Sequence, residues 1–272
     1  MVARAKLRVA IGGLGAIGIA VARQLDQGID GMALSAVSAR DGAAATRRLS
    51  GFRNPPPVVK LETLPEVSEI VVECAPAAVF TCVADPAIRA GRIFVPLSCG
   101  ALLSRPDLID LAKETGARII VPTGALLGLD AVRAAAEGNI RSVRMITRKP
   151  PGGLKGAPFL VENEISLDNL NKPLKIFDGS ARDGARGFPA NVNVAAALSL
   201  AGIGADETAL EIWADPALTR NVHRIEVEAD SASFSLMIEN IPSEENPRTG
   251  QITALSVIAC LRGLTSTLKV GT

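Results

Sequence analysis

Apolar and polar positions follow one pattern in the first half of this chain and another in the second. In the first half, apolar residues come in short continuous runs: Leu7 to Gly13, Met32 to Ala39, Glu69 to Ala75, Arg92 to Ser98 and Ala117 to Pro122. Runs of this length, rich in branched residues, suit strands of a parallel sheet buried on both faces. Ala16 to Gln27 and Asp41 to Leu49 read as helices between them. Pro76 stands where a helix after the third strand would begin, a position that tolerates proline. Gly100 reads as the end of the fourth strand. Ser104 reads as a helix N-cap, with Pro106 and Asp107 in the first turn and Gly116 as the stop. The repeated strand–helix order predicts an α/β fold with a doubly wound parallel sheet.

After residue 123 the period changes. Leu126 to Glu137 reads as a helix, and SVRMITRKPP as a strand ending at a double proline. KPLKIFDG, TALEIWAD, HRIEVEAD and SFSLMIEN alternate apolar with polar residues. That alternation predicts a sheet with one face packed on helices and one more open. NVNVAAALSLAG and TGQITALSVIACLRGL read as helices. The second is apolar on more than one face, which predicts that it returns to pack on the first domain. Asn246 or Thr249 would cap it, and Arg248 is a further candidate for contact with a ligand. No internal repeat or low-complexity tract interrupts the chain. The expected organisation is a dinucleotide-binding domain, 1–122 plus 247–272, and an α+β domain, 123–246, for substrate binding and dimerisation.

The first turn carries the chemistry that gives the N-terminal domain its role. Gly13, Gly15 and Gly18 fit G-x-G-x-x-G, after a strand and at the opening of a helix. The first glycine permits the tight turn, the second lets backbone approach a pyrophosphate, and the third lets helix pack on strand. Ala16 and Ile17 supply amides at the helix N-terminus, where the dipole favours anions. The plain alternative, a glycine-rich turn without ligand, is disfavoured by the strand–turn–helix setting. This is a Rossmann-type signature, and it predicts NAD or NADP. Strand two ends Ser38-Ala39-Arg40-Asp41. It lacks a carboxylate at its tip, where one would hold a ribose hydroxyl. Arg40 could take a 2′-phosphate, and Asp41 could cap the next helix, so both cofactors are expected to be accepted.

Composition narrows the remaining possibilities. The chain has 272 residues, one histidine and no tyrosine; aromatics make up 3% and the net charge is +1. A balanced charge argues against a phosphate-backbone binder, and scarce aromatics against base-stacking platforms. With only His223, a histidine-rich metal site is excluded, and no metal is expected. Cys74, Cys82, Cys99 and Cys260 form no C-x-x-C pair, so they read as free thiols of a reducing compartment. The opening MVARAKLRVAIGG has the look of a signal peptide, but it runs into the glycine motif without a cleavage site. No apolar stretch is long enough to span a bilayer. The expectation is therefore a cytoplasmic protein that binds neither nucleic acid nor membrane.

The runs GGLGAIG, VVECAP, LSCGALL, PTGALLGLDAV and TRKPP, followed by FPANVNVAAALSLAG, ADPALTRNVHRIEVE and NPRTGQITALSVIACL, resemble the L-aspartate dehydrogenases over nearly the whole chain. The segments at Asn191–Asn193 and Asn221–His223 are the most specific, since generic Rossmann enzymes lack them. The resemblance implies oxidation of L-aspartate with NAD or NADP to iminoaspartate, which hydrolyses to oxaloacetate and ammonia. In some organisms the imine feeds NAD biosynthesis. It implies His223 as the active-site histidine, Ala125 and one asparagine of Asn191 and Asn193 as cofactor contacts, with Asn193 favoured by its thirty-residue spacing to His223, and it suggests a homodimer; Ala75 is a further cofactor candidate. Two positions depart from the family. Thr123 replaces the usual serine of the S-G-A turn, and Asp183-Gly184 stands where Glu-Ala is expected, which removes support for a substrate role of that carboxylate.

The chemistry asks for a base near the amine and cations near two carboxylates. His223 could serve as the base or could orient a carboxylate; a lone histidine without the resemblance would as readily be a packed or solvated residue. Lys149 and, with less support, Arg148 end a strand and could face a dicarboxylate, or could simply be a solvated strand end. Asn191 and Ser166 are further substrate candidates. Cys99 reads as an inert buried thiol, and Glu73 as a turn cap. Two other readings share the fold: a homoserine dehydrogenase or dihydrodipicolinate reductase type of oxidoreductase, and a nucleotide-binding sensor without turnover.

Overall fold

The computed structural model describes residues 5–189, 191–243, 245–246 and 249–271. Pro247 and Arg248 lie outside the described residues. The chain divides into two compact units, 1–122 with 254–269 and 123–253 with 270–272.

The first unit alternates strands and helices. β1 (Leu7–Gly12), α1 (Ala16–Gln27), β2 (Met32–Ser38), α2 (Gly42–Leu49), β3 (Ile70–Glu73), α3 (Phe80–Arg89), β4 (Ile93–Pro96), α4 (Cys99–Leu103), α5 (Asp107–Thr115) and β5 (Arg118–Ile119) follow in order. The five strands pair in parallel in the order β2-β1-β3-β4-β5. The apolar runs form these strands because both faces are covered: Val9, Ala10, Ile11, Ile70, Val71 and Val72 are fully buried. Successive residues feed opposite layers, with Val9 and Ile11 in one core cluster and Ala10 and Val71 in the other.

The second unit holds α6 (Leu129–Ala136), β6 (Ile140–Lys149), α7 (Pro158–Glu162), β7 (Leu174–Ser180), α8 (Ala181–Gly187), α9 (Asn193–Ala201), β8 (Thr208–Ala214), β9 (Val222–Ala229) and β10 (Ser233–Glu239). Its sheet runs β10-β9-β6-β8-β7, with β6 and β8 parallel and the other neighbours antiparallel. One face is closed by helices: Gly202, just after α9, packs on Val132 of α6 and Val143 of β6. The opposite face is more open, with Arg144 and Glu211 paired at 2.7 Å and Trp213 Nε1 donating to Glu211 at 2.9 Å. Arg148 lies over the same indole at 5.5 Å. Phe159, Phe177 and Phe188 form one aromatic cluster, with centroids 5.3 to 5.6 Å apart. The last helix, α10 (Gln251–Thr265), places Val257 and Leu261 in the core cluster of Ile11 and Ile19, as its two-sided apolar pattern predicts.

Several local expectations are corrected. Gly100 does not end a strand but sits inside α4, a short helix the sequence did not reveal. Ser104 is the C-cap of that helix rather than the N-cap of α5, which opens at Pro106 without a side-chain cap. The helix expected from Leu126 starts at Leu129, because Gly128 has φ +73° and Leu126 closes a turn onto Thr123. The strand expected over Ala117 to Pro122 is only Arg118–Ile119. α7 and α8 were not expected; α8 is capped by Ser180, whose Oγ accepts from the Asp183 amide at 3.1 Å.

Candidate active site

The glycine turn has the geometry its spacing demands. Gly13 has φ +98°, and a Cβ there would come within 2.6 Å of the Cys74 carbonyl and 2.7 Å of the Ala75 nitrogen. Gly18 is equally constrained, since its Cβ would lie 2.0 Å from the Gly13 carbonyl oxygen. Gly15 is the opposite case: a Cβ there would meet nothing within 4 Å, so the space over the helix end is open. Gly15 is the N-cap of α1, makes no side-chain cap bond, and no acidic residue stands in the first turn. The amides that open α1, from Ala16 and Ile17 onward, lack intrahelical carbonyl partners and carry partial positive charge. An open cradle of amides without a capping carboxylate fits a dinucleotide's pyrophosphate. The turn is braced by Arg48, whose Nη1 donates to the Leu14 carbonyl at 2.6 Å; the sequence reading missed that residue. Asp41 caps α2 by accepting from the Ala44 amide at 2.9 Å, and Arg40 is exposed just before it.

Glu73, at the end of β3, is buried and accepts from the Ser98 amide at 2.9 Å and from the Ser98 hydroxyl at 3.1 Å. It braces the turn after β4, and burial raises its proton affinity above the ordinary carboxylate range. Burial also pushes the Cys99 thiol up to about 12, which fits an inert thiol.

In the second unit, polar residues gather at one end of the sheet. On β6, Val143, Met145, Thr147 and Lys149 share the buried face, by the two-residue period of a strand. On β9, His223, Ile225 and Val227 share it in turn. Thr147 stands directly opposite His223 in the antiparallel register, and Thr147 Oγ1 and His223 Nδ1 share a hydrogen bond of 3.1 Å. His223 is only 2% exposed. Burial first, and the charge of Lys149 second, push its imidazole down to about 3, so it is neutral at ordinary pH. Lys149 is itself buried, which pushes its amine down to about 8. Its Nζ donates to Asn191 Oδ1 at 2.8 Å.

Lys149 and Asn191 open onto a cavity of about 380 Å³, whose lining also includes Arg220, Asn221, Asn240 and Gly250. No described lining residue is acidic. The cavity is cationic and rich in amides, which suits a small dicarboxylate. His223 is not among its lining residues; it occupies the same sheet face two places from Lys149 in register. Among the described residues, no group of His, Cys, Asp and Glu could hold a metal.

The remaining candidates fall elsewhere. Asn193 opens α9 and is half-buried, whereas Asn191 is the asparagine that meets Lys149. Ala125 sits in the turn after Gly124, its carbonyl accepting from Asn240 Nδ2 at 3.1 Å. Ser166 is not brought to the lysine cavity. It lines a separate surface hollow with Lys155 and Asp168, and its hydroxyl accepts from the Asp168 amide at 3.2 Å. Arg148 points to the open sheet face beside Trp213 and Asp215. Asn240 and Arg220 were missed. For Asn240 a signal was present, since it continues the phase of Phe234, Leu236 and Ile238.

Two family models match the chain. One, described as the homoserine dehydrogenase NAD binding domain, covers residues 13–122. The other, described as aspartate dehydrogenase, C-terminal, covers residues 130–264. A protein of Bradyrhizobium diazoefficiens named L-aspartate dehydrogenase is 60% identical over 270 residues, covering 99% of this chain and 96% of its own length. One of Bordetella bronchiseptica named L-aspartate dehydrogenase 3 is 54% identical, covering 100% of both. Among solved structures, aspartate dehydrogenase of Thermotoga maritima matches in fold with a TM-score of 0.75 at 24% identity, over 97% of this chain and 99% of that one.

Proposed function

The chain belongs to the L-aspartate dehydrogenase family, and from that premise we infer how its own residues carry the reaction. The activity is the NAD(P)-dependent oxidation of L-aspartate to iminoaspartate, which water converts to oxaloacetate and ammonia, or the reverse. The homoserine dehydrogenase reading accounts only for residues 13–122, a part shared across such enzymes; residues 130–264 match the aspartate enzymes.

NAD(P)+, when bound, accepts hydride from the substrate's Cα. Gly13, Gly15, Ala16, Ile17 and Gly18 would hold its pyrophosphate, Arg40 would meet a 2′-phosphate, and Ala75, Ala125 and Asn193 would supply further contacts. Gly15's open approach and the uncapped start of α1 support this for the phosphates.

The observation that carries the substrate assignment is the buried Lys149, which has no carboxylate partner among the described residues. Lys149 Nζ has Asn191 beside it and a cavity lined by no acidic described residue. A substrate carboxylate supplies the missing counter-charge, and Arg220, which also lines the cavity and pairs with Glu239 at 3.5 Å, is the candidate for the second. His223, behind the cavity wall on the same sheet face as Lys149, takes through one intervening water the proton that the amine must lose before hydride can leave. Burial and Lys149 keep the imidazole unprotonated, the form a base needs. The substrate's two carboxylates offset the lysine charge and raise the imidazole's proton affinity when the ammonium arrives. Thr147 fixes the ring's orientation.

We further infer a homodimer in the cytoplasm. The open sheet face with Trp213, and exposed Met237 on the edge strand β10, support a partner surface. Four free cysteines support a reducing compartment. Among the described residues, no helix is long and apolar enough to cross a membrane.

Incubation with NAD or NADP and a panel of amino acids, followed by absorbance of the reduced cofactor, tests the activity. Turnover of L-aspartate alone is expected. Homoserine turnover would move the assignment to the neighbouring enzyme class, and tight cofactor binding without turnover would move it to a sensor.

A further inference from the structure

Asn240 follows β10 in phase with Phe234, Leu236 and Ile238, and is only 3% exposed. Its backbone amide donates to the Asn221 carbonyl at 2.8 Å, and its Nδ2 donates to the Ala125 carbonyl at 3.1 Å. The second bond fixes how the side-chain amide is turned, because a carbonyl can only accept. Oδ1 is therefore the other end, and it is buried without a hydrogen-bond partner among the described residues. It faces Gly250, where a Cβ would come within 2.7 Å of it. Native proteins leave few buried acceptors unpaired, and those left are often kept for a ligand or a water. Asn240 and Gly250 both line the cavity that holds Lys149 and Arg220.

The chemistry of the substrate matches that gap. L-Aspartate brings two carboxylates, which the lysine and arginine suit, and one ammonium, which can only donate. The two cations cannot accept from it, and no described lining residue is acidic. We propose that Asn240 is a specificity-determining residue whose Oδ1 accepts a hydrogen bond from the substrate's amine, so that the cavity selects amino dicarboxylates over dicarboxylates without nitrogen. The proposal rests on the reading of the Lys149 cavity as the substrate site.

The test compares L-aspartate with succinate, which has the same carbon chain and carboxylates but no amine. In the full-length enzyme, Asn240→Ala is expected to raise KM for L-aspartate about tenfold to a hundredfold, while the inhibition constant of succinate moves by less than about threefold. A rise of both constants in proportion, or an unchanged KM, would overturn the proposal. Lys149→Met separates the two levels. If that variant keeps wild-type constants for both compounds, the cavity is not the substrate's and the proposal fails with that reading. Should the Asn240 variant not fold, a structure of the wild-type enzyme with L-aspartate decides. The amine nitrogen within about 3.2 Å of Oδ1 supports the proposal, and an amine bonded elsewhere overturns it.

Discussion

Thr147 Oγ1 and His223 Nδ1 are 3.1 Å apart across the β6–β9 pair, both almost fully buried. The hydroxyl can donate to or accept from the ring, so it fixes the imidazole plane whichever tautomer is present. Thr147→Val keeps the shape and removes the bond. It is expected to lower kcat about tenfold to a hundredfold with little change in cofactor KM, and Thr147→Ser is expected to restore most of it. Equal kcat for wild type and the valine variant would remove Thr147 from the mechanism.

Lys149 links activity and stability with opposite signs. Its buried charge is disfavoured in the folded state below about pH 8, whereas the unfolded chain keeps its amine protonated up to about 10.5. Wild-type stability should therefore gain a rising component between those values. Lys149→Met should lack that rise, melt higher than wild type near neutrality, and lose at least about thirtyfold in kcat/KM for L-aspartate. Melting curves across pH, alongside kinetics, check both halves.

His223 predicts acid sensitivity. Its folded pKa is depressed, so the unfolded state takes up a proton below about pH 6.5 that the folded state refuses until about pH 3. Stability is fully present above the upper value and is lost as pH falls between the two. His223→Gln should flatten that part of the stability–pH profile in chemical denaturation, and should also abolish most turnover. A profile unchanged by the substitution would show that the imidazole is solvated.

The glycine turn predicts a contrast between neighbours. Gly18→Ala places a Cβ 2.0 Å from the Gly13 carbonyl oxygen, a backbone atom that cannot yield cheaply. It should destabilise the protein by about 1–3 kcal/mol or more. Gly15→Ala meets nothing within 4 Å, so the fold should be unaffected while cofactor KM rises about tenfold. Thermal melts and cofactor titrations separate the two.

Arg40 predicts cofactor choice. Exposed after β2, it can meet a 2′-phosphate, and Arg40→Ala should weaken NADP about tenfold while leaving NAD within about twofold. NADP binding hundreds of times weaker than NAD in the wild type would take that role away.

The parallel sheet was legible in the sequence because strands buried on both faces must be written as unbroken apolar runs. The second sheet was legible because one-sided burial forces alternation. What escaped was short or capped by backbone alone. α4 follows a strand with two residues between, and α5 opens at Pro106 without a side-chain cap. At the site, His223 stood out by being unique and by the family resemblance. Lys149 was visible only as a strand end, and its burial comes from the phase it shares with Val143, Met145 and Thr147. Asn240 carried the same clue unread. Ser166 drew notice for its chemistry, and its hydroxyl accepts from the Asp168 amide within a turn.

That shared phase has a consequence for how the protein can change. Thr147, Lys149, His223 and Asn240 are kept on one side of the sheet by the same two-residue count that buries the apolar side chains before them. Adding or deleting one residue within β6 or β9 would carry core and reactive groups to the wrong side together. Substitution at the strand ends leaves the count intact. On the proposed reading of the Lys149 cavity, new substrates are reachable by point changes there, while the strands behind them tolerate almost no change in length.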